Sequence, residues 1–217
     1  MKMSNFINVA VKNQELILSS LSRHLLICAV SLVLGMLVAV PLGIYLTYHR
    51  GAARAVLSVL SVVNTIPSIV LLGVAMMLCG LGIYPAVIVL FLYSLLPIVR
   101  ATYTGILDVN PKYIKAARGM GMGQMQILRI VQVPLALPAI ITGIRLSAIY
   151  VISWATLAAF IGGGGLGDVI WMGLQSYNFD LVIWGALPAT LLAFLVSWVL
   201  NRDIDMTQKH VSREVTA

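Results

Sequence analysis

Apolar residues in this chain fall in long blocks. A stretch free of Asp, Glu, Lys and Arg runs from His24 to His49, and a second runs from Ala55 through Val99. One crossing of about 30 Å of hydrocarbon takes roughly 20 apolar residues, so the second stretch is too long for a single span. Cys79-Gly80-Leu81-Gly82 supplies the turn that divides it. The pattern predicts spans over Leu25 to Tyr48, Ala55 to Cys79 and Ile83 to Val99. Two more follow over Ala139 to Phe160 and Leu181 to Leu200, separated by a glycine-rich segment. Asn64, Thr65 and Pro67 interrupt the second span, where the proline predicts a kink.

The polar positions cluster between the spans. The longest hydrophilic excursion, from Arg100 to about Val133, has regular apolar spacing. Ile114, Ala117, Gly121, Ile127, Leu128 and Val131 approximate one helical stripe, with Lys115, Arg118, Gln124, Gln126 and Arg129 mostly off it. One or two short amphipathic helices are expected, broken near Gly121 because three glycines in five residues weaken a continuous helix by about 1 kcal/mol each. Pro134 and Pro138 mark the approach to the fourth span. A coupling surface for another subunit and a plain connector packed on its own span ends both fit this pattern.

Composition agrees with the blocks. Hydrophobic residues make up 60% of 217, charged residues only 10%, and the mean hydropathy is +1.00, outside the range of soluble domains. The chain reads as an all-α integral membrane protein of about five transmembrane helices. Residues 1–24 form an outer tail with Ser4 to Leu21 as an interfacial helix, 25–200 the membrane domain with its inner loop at about 108–134, and 201–217 a cytoplasmic tail. The first apolar run is too long for a cleavable signal.

Charge sets the orientation. With the N-terminus outside, Arg50, Arg54, Arg100, Lys112, Lys115, Arg118, Arg129, Arg202, Lys209 and Arg213 all fall on the cytoplasmic side. The outer loops near Gly80 and from Gly162 to Asp180 carry no Lys or Arg; Lys2, Lys12 and Arg23 are the exceptions at the outer tail. The net charge of +7 is thus a matter of topology, and a nucleic-acid partner is not expected. Cys28 and Cys79 lie in apolar runs, and the three histidines are scattered, so neither metal nor catalytic spacing is present.

Lys115-Ala116-Ala117, then Gly121, Val131, Val133 and Pro134, resemble the EAA loop of binding-protein-dependent ABC importer permeases. That family's pattern is Glu-Ala-Ala, three residues, Gly, nine residues, Ile, one residue, Leu-Pro. Lys115 stands where the family usually has Glu. The wider strings "NTIPSIVLLG" from Asn64, "LFLYSLLPIVRATYTGI" from Leu90, "ARGMGM" from Ala117, "VPLALPAIITGIR" from Val133 and "WATLAAFIGGGGLGD" from Trp154 are similar to the osmoprotectant branch, which takes glycine betaine, carnitine or choline.

The resemblance implies a transport subunit, not an enzyme, in a bacterial cytoplasmic (inner) membrane. Its partners would be a cytoplasmic ABC ATPase dimer carrying ATP and magnesium, a second permease identical or related, an extracytoplasmic substrate-binding protein and membrane lipid. The coupling residues would be Lys115, Ala116, Ala117, Arg118, Gly119, Gly121, Val131 and Pro134, with docking expected mainly through Ala116, Ala117 and Gly121 and with Lys115 at the rim. The chain holds no Gly-rich Lys-Ser/Thr phosphate loop of its own.

Further residues carry a functional and a structural reading side by side. Asn64, Pro67, Tyr93 and Trp154 are pathway candidates, and Tyr93, Tyr103, Trp154 and Trp171 present aromatic faces suited either to a quaternary ammonium or to packing and interfacial anchoring. Gly162, Gly163, Gly164 and Gly165 form either an outer gate or a tight turn in which side chains do not fit. Arg145 is expected to be a structural charge, ion-paired or anchored at the inner surface. A permease for another small solute such as an amino acid, an ATP-independent channel or carrier, and a membrane scaffold are the competing functions.

Overall fold

The computed structural model describes the backbone from Met3 to Thr216 and side chains from Phe6 to Arg202. Lys2 and the side chains of Lys209 and Arg213, used in the topology argument, lie outside the described residues. The described chain is helical throughout, with ten α-helices and two stretches of altered pitch.

Helix α1 (Met3–Lys12) precedes α2 (Gln14–Tyr48), which buries Ser20, His24, Ile27, Ser31, Gly35, Ala39, Gly43 and Leu46. The three- and four-residue spacing makes one stripe of a 3.6-residue helix. Most of these side chains are small, which is how helices gain contact in lipid, where apolar burial offers no advantage over the tails. The partner is α5 (Ile83–Leu107). At Gly43 an added Cβ would stand 2.6 Å from the Cβ of Thr102. Ser31 ties the seam by donating to the Val87 carbonyl at 3.3 Å.

Helix α2 runs unbroken from Gln14 through the expected start of the first span at Leu25, and the expected interfacial helix is split, its second half belonging to α2. Hydropathy places a boundary at Arg23 and His24 because they are polar, yet His24 is fully buried and the helix passes straight through it.

The second span is broken more sharply than a proline kink. Helices α3 (Arg50–Thr65) and α4 (Ser68–Cys79) meet at 95°. Four other helical bodies are long and apolar enough to cross a membrane, making five with the bent pair. Helix α6 (Pro111–Gly119) lies in the inner loop. A body from Gln124 to Ile161 then combines α7 (Gln124–Gln126), a π-helical stretch (Ile127–Gln132), α8 (Val133–Ala155) and a 3₁₀ stretch (Thr156–Ile161). Helix α9 (Leu166–Gln175) is too short to cross, and α10 (Phe179–Thr216) packs against α8 and α9. Trp184 of α10 donates from its indole N–H to the Phe6 carbonyl at 3.0 Å and stacks on the Phe6 ring, which fastens α1 to the bundle.

The core is a column along α5. Its outer part joins Leu72, Val89, Tyr93 and Ile161, and its inner part joins Ile106, Val109, Leu128 and Ile140. Large apolar side chains such as Leu37, Val62 and Phe194 are exposed on the outside of the bundle.

Candidate functional site

The inner loop is a clamped structure. Asn110 caps α6, its side chain accepting from the Lys112 backbone N–H at 3.0 Å, and Pro111 occupies the first turn, where no backbone donor is needed. The chain leaves α6 through Gly121 at φ +82°, a left-handed conformation suited to glycine and the expected break. The Met122 N–H then donates to the Ala117 carbonyl at 3.1 Å, and Gln126 accepts from the Gly123 N–H at 2.9 Å, starting the next helix.

This folding decides which side of the stripe is free. Ala117 is 1% exposed, and Ile127 and Leu128 are also buried, whereas Lys115, Ala116, Arg118, Gly119 and Gly121 are exposed. The expectation that Ala117 contributes docking surface is therefore corrected: its methyl faces the chain's own core. Val131 and Pro134 are half-buried where the loop becomes α8. The free ridge is Lys115, Ala116 and the turn from Arg118 to Gly121, with Lys115 standing beside Ala116 on it.

At the α3–α4 break, Ile66 is extended (φ −65°, ψ 130°), as a residue before proline prefers. The backbone N–H groups of Val70 and Leu71 both donate to the Pro67 carbonyl, and the Tyr93 hydroxyl donates to that of Ile66. Tyr93 is 1% exposed and its ring packs 4.4 Å from that of Trp154, centroid to centroid, with Tyr150 on the other side of Trp154 at 5.2 Å. Tyr93 is thus a strut holding the bend, not an open face for a ligand. Asn64 brings its side-chain nitrogen into the protein without a hydrogen-bond partner, and Pro67 is exposed. Tyr103, on α5, is partly buried against the cluster that includes Ala39, Leu46 and Ala53, and Trp171 meets Phe160 edge-on at 4.8 Å.

The glycine run is a tight turn. Gly162, Gly164 and Gly165 have φ of +70°, +85° and +92°, and Gly163, Gly164 and Gly165 are buried. A Cβ on Gly164 would lie 2.6 Å from Cδ of Arg23, and one on Gly165 would lie 3.1 Å from Nδ1 of His24. These two residues of α2 were not singled out by the sequence as site residues; the signal available was a pair of basic side chains at the outer end of one span and an acid, Asp168, just after the glycines at the outer end of another. Burial raises the Asp168 carboxyl above the usual range, and the Arg23 charge partly offsets this. His24 has no hydrogen-bond partner of good geometry on either ring nitrogen.

Arg145 of α8 donates from Nε to the Ser197 hydroxyl at 3.2 Å and from a terminal nitrogen to the Asn201 side-chain oxygen. Its described partners on α10 are neutral, a hydroxyl and an amide. Among the described residues no three His, Cys, Asp or Glu side chains converge as metal ligands.

Comparison with known proteins sets this geometry in a family. Residues 31–215 match the model of the family described as binding-protein-dependent transport system inner membrane component. The chain is 48% identical over 178 residues to the glycine betaine/carnitine/choline transport system permease protein OpuCB of Bacillus subtilis (strain 168), covering 82% of each chain. It is 46% identical to the carnitine transport permease protein OpuCB of Listeria monocytogenes, covering 83% of each. Among solved structures, a chain of the MetNI methionine ABC transporter in an inward-facing conformation superposes with a TM-score of 0.78 at 24% identity, over 89% of this chain and 97% of that one. With a bent second span, a clamped inner loop and a family match over most of its length, this chain belongs to the inner membrane components of binding-protein-dependent transport systems.

Proposed function

We propose that this chain is the membrane-spanning permease subunit of an ATP-driven importer for an osmoprotectant such as glycine betaine, carnitine or choline. The observation that carries the coupling role is the inner loop. It is clamped to the protein's own core through Ala117, Ile127 and Leu128, yet offers a free ridge from Lys115 to Gly121. A connector with no further task has no reason to combine a fixed base with a ridge of small and basic side chains. The relatives' names supply the solute class.

On this reading a cytoplasmic ATPase dimer binds ATP and magnesium and seats the ridge in a cleft. A second permease completes the pathway, and an outer binding protein delivers solute. The N-terminus lies outside and the C-terminus inside, in accord with the basic residues of the inner segments. Hydrolysis belongs to the partner. This chain transmits the ATPase movement through α8, and Tyr93, Trp154 and the α3–α4 bend shape the wall that moves.

Uptake of radiolabelled glycine betaine, choline and carnitine into proteoliposomes holding this subunit, its ATPase and its binding protein tests the reading. ATP-dependent accumulation that is lost in an Ala116→Glu variant is expected. Uptake without ATPase or ATP would replace the importer by a channel or carrier. ATPase stimulation by the binding protein with none of these solutes accumulated would retain the importer and discard the solute class.

A further inference from the structure

Two cavities meet at the inner end of α2, and their chemistry differs. One is a groove of about 520 Å³ between the last two turns of α2 and the start of the Gln124–Ile161 body, walled by Pro41, Ile44, Tyr45, Met125, Leu128 and Val133. Its one charged wall residue is Arg129. The other, of about 360 Å³, sets Arg50, Arg118, Gln124, Gln132 and Thr47 beside four aliphatic side chains. Tyr48 lines both, so the two are adjacent, and no Asp or Glu lines either.

Depth distinguishes them. Pro41 precedes Tyr48 by seven residues, which at 1.5 Å per residue is roughly 10 Å of helix. On the proposed topology the apolar groove therefore reaches about 10 Å further toward the membrane interior than Arg50. A slot for a chain of methylenes, opening onto cations with amide and hydroxyl donors beside them, has the layout of an anionic lipid with its phosphate uppermost.

We propose that this composite cleft binds an anionic phospholipid of the inner leaflet, an acyl chain lying in the groove and the phosphate held by Arg129 and Arg50. A protein partner accounts for the exposed ridge of α6 but not for an apolar slot below the membrane surface. A bound lipid would wedge α2 against the coupling loop, because the cleft's walls come from both. The binding stands independently of which solute is carried.

The full chain, purified with its partner subunits in mild detergent, is titrated with phosphatidylglycerol and phosphatidylcholine of matched acyl chains, and adducts are counted by native mass spectrometry. Phosphatidylglycerol is expected to bind roughly tenfold more tightly. Arg50→Gln combined with Arg129→Gln should abolish that preference, while Arg54→Gln, outside the cleft, should keep it. Met125→Trp, at a side chain 57% exposed, narrows the groove without touching charge and should weaken both lipids. Equal binding of the two lipids by the unaltered protein overturns the proposal, as does a preference that survives the double variant. Displacement of phosphatidylglycerol by equimolar glycerol phosphate would also overturn it, since the site would then take a free anion. If the double variant does not assemble, an unchanged response to Met125→Trp is still sufficient to reject the acyl slot.

Discussion

Replacing Tyr93 by Phe removes one hydroxyl from the middle of the fold and leaves the ring against Trp154. That hydroxyl donates to the Ile66 carbonyl at the α3–α4 break, where the following backbone donors have turned to Pro67 instead. In hydrocarbon a released carbonyl finds no water, although measured interhelical hydrogen bonds in membranes average only about 0.6 and reach about 1.7 kcal/mol. Adding the cost of an unmet acceptor, Tyr93→Phe should destabilise the subunit by about 1 to 2 kcal/mol. Tyr93→Ala also loses the ring, which is 1% exposed and 4.4 Å from Trp154, and should cost about 3 to 5 kcal/mol. Unfolding of the purified subunit by steric trapping or by graded denaturing detergent measures both. The gap between the variants separates the hydroxyl from the ring. A Tyr93→Phe protein within about 0.3 kcal/mol of the original would refute the strut, since the hydroxyl would then contribute less than the average interhelical hydrogen bond in a membrane.

The inner loop predicts a contrast between neighbours: Ala116→Glu, on the exposed side, should leave subunit abundance unchanged and abolish ATP-coupled uptake, whereas Ala117→Glu places a carboxylate at a buried methyl and should lower abundance itself, read by quantitative blotting. Arg145→Leu discards the donors to Ser197 and Asn201 and should cost about 1 to 3 kcal/mol, with Arg145→Gln recovering part of it in the same unfolding measurement. Asp168 titrates above the usual carboxylate range because burial disfavours its charge. Its contribution to stability is therefore full when the group is protonated and is lost as pH rises through the raised value. Asp168→Asn should melt higher than the original protein at neutral pH and show a flatter dependence of melting temperature on pH, and a lower melting point at neutral pH would contradict this.

Span number, the division at Gly80 to Gly82 and the break at Gly121 were legible because each rests on local chemistry: hydrocarbon thickness, or a backbone angle that glycine tolerates. Pro67 was legible as an interruption, but the 95° angle was not. The angle depends on Tyr93, 27 residues away in the chain, reaching the Ile66 carbonyl. Ala117 shows a different limit. The helical stripe containing it was visible, but periodicity identifies a face without saying whether that face meets the protein's own core or a partner, and small residues suit both. Arg23 and His24 misled for a related reason. Hydropathy counts their polarity and cannot register that His24 is buried beneath the glycine turn while Arg23 stays exposed beside it, which lets α2 continue through a stretch that reads as a boundary. The partners of Arg145, a hydroxyl and an amide, lie 52 and 56 residues further on, beyond the reach of local pattern.

The body from Gln124 to Ile161 has 38 residues and no intervening loop. At 1.5 Å per residue it is roughly 55 Å long, so the segment beside the coupling ridge and the segment that leads into the glycine turn are opposite ends of one rod. A rod converts angle into distance. Pivoting by about 5° around its loop end carries the other end sideways through roughly 5 Å, and no residue along the way has to change its own conformation. The π-helical stretch, Ile127–Gln132, lies close to that pivot. On the proposed coupling role, a movement at the loop end would therefore be amplified in proportion to the length of the rod.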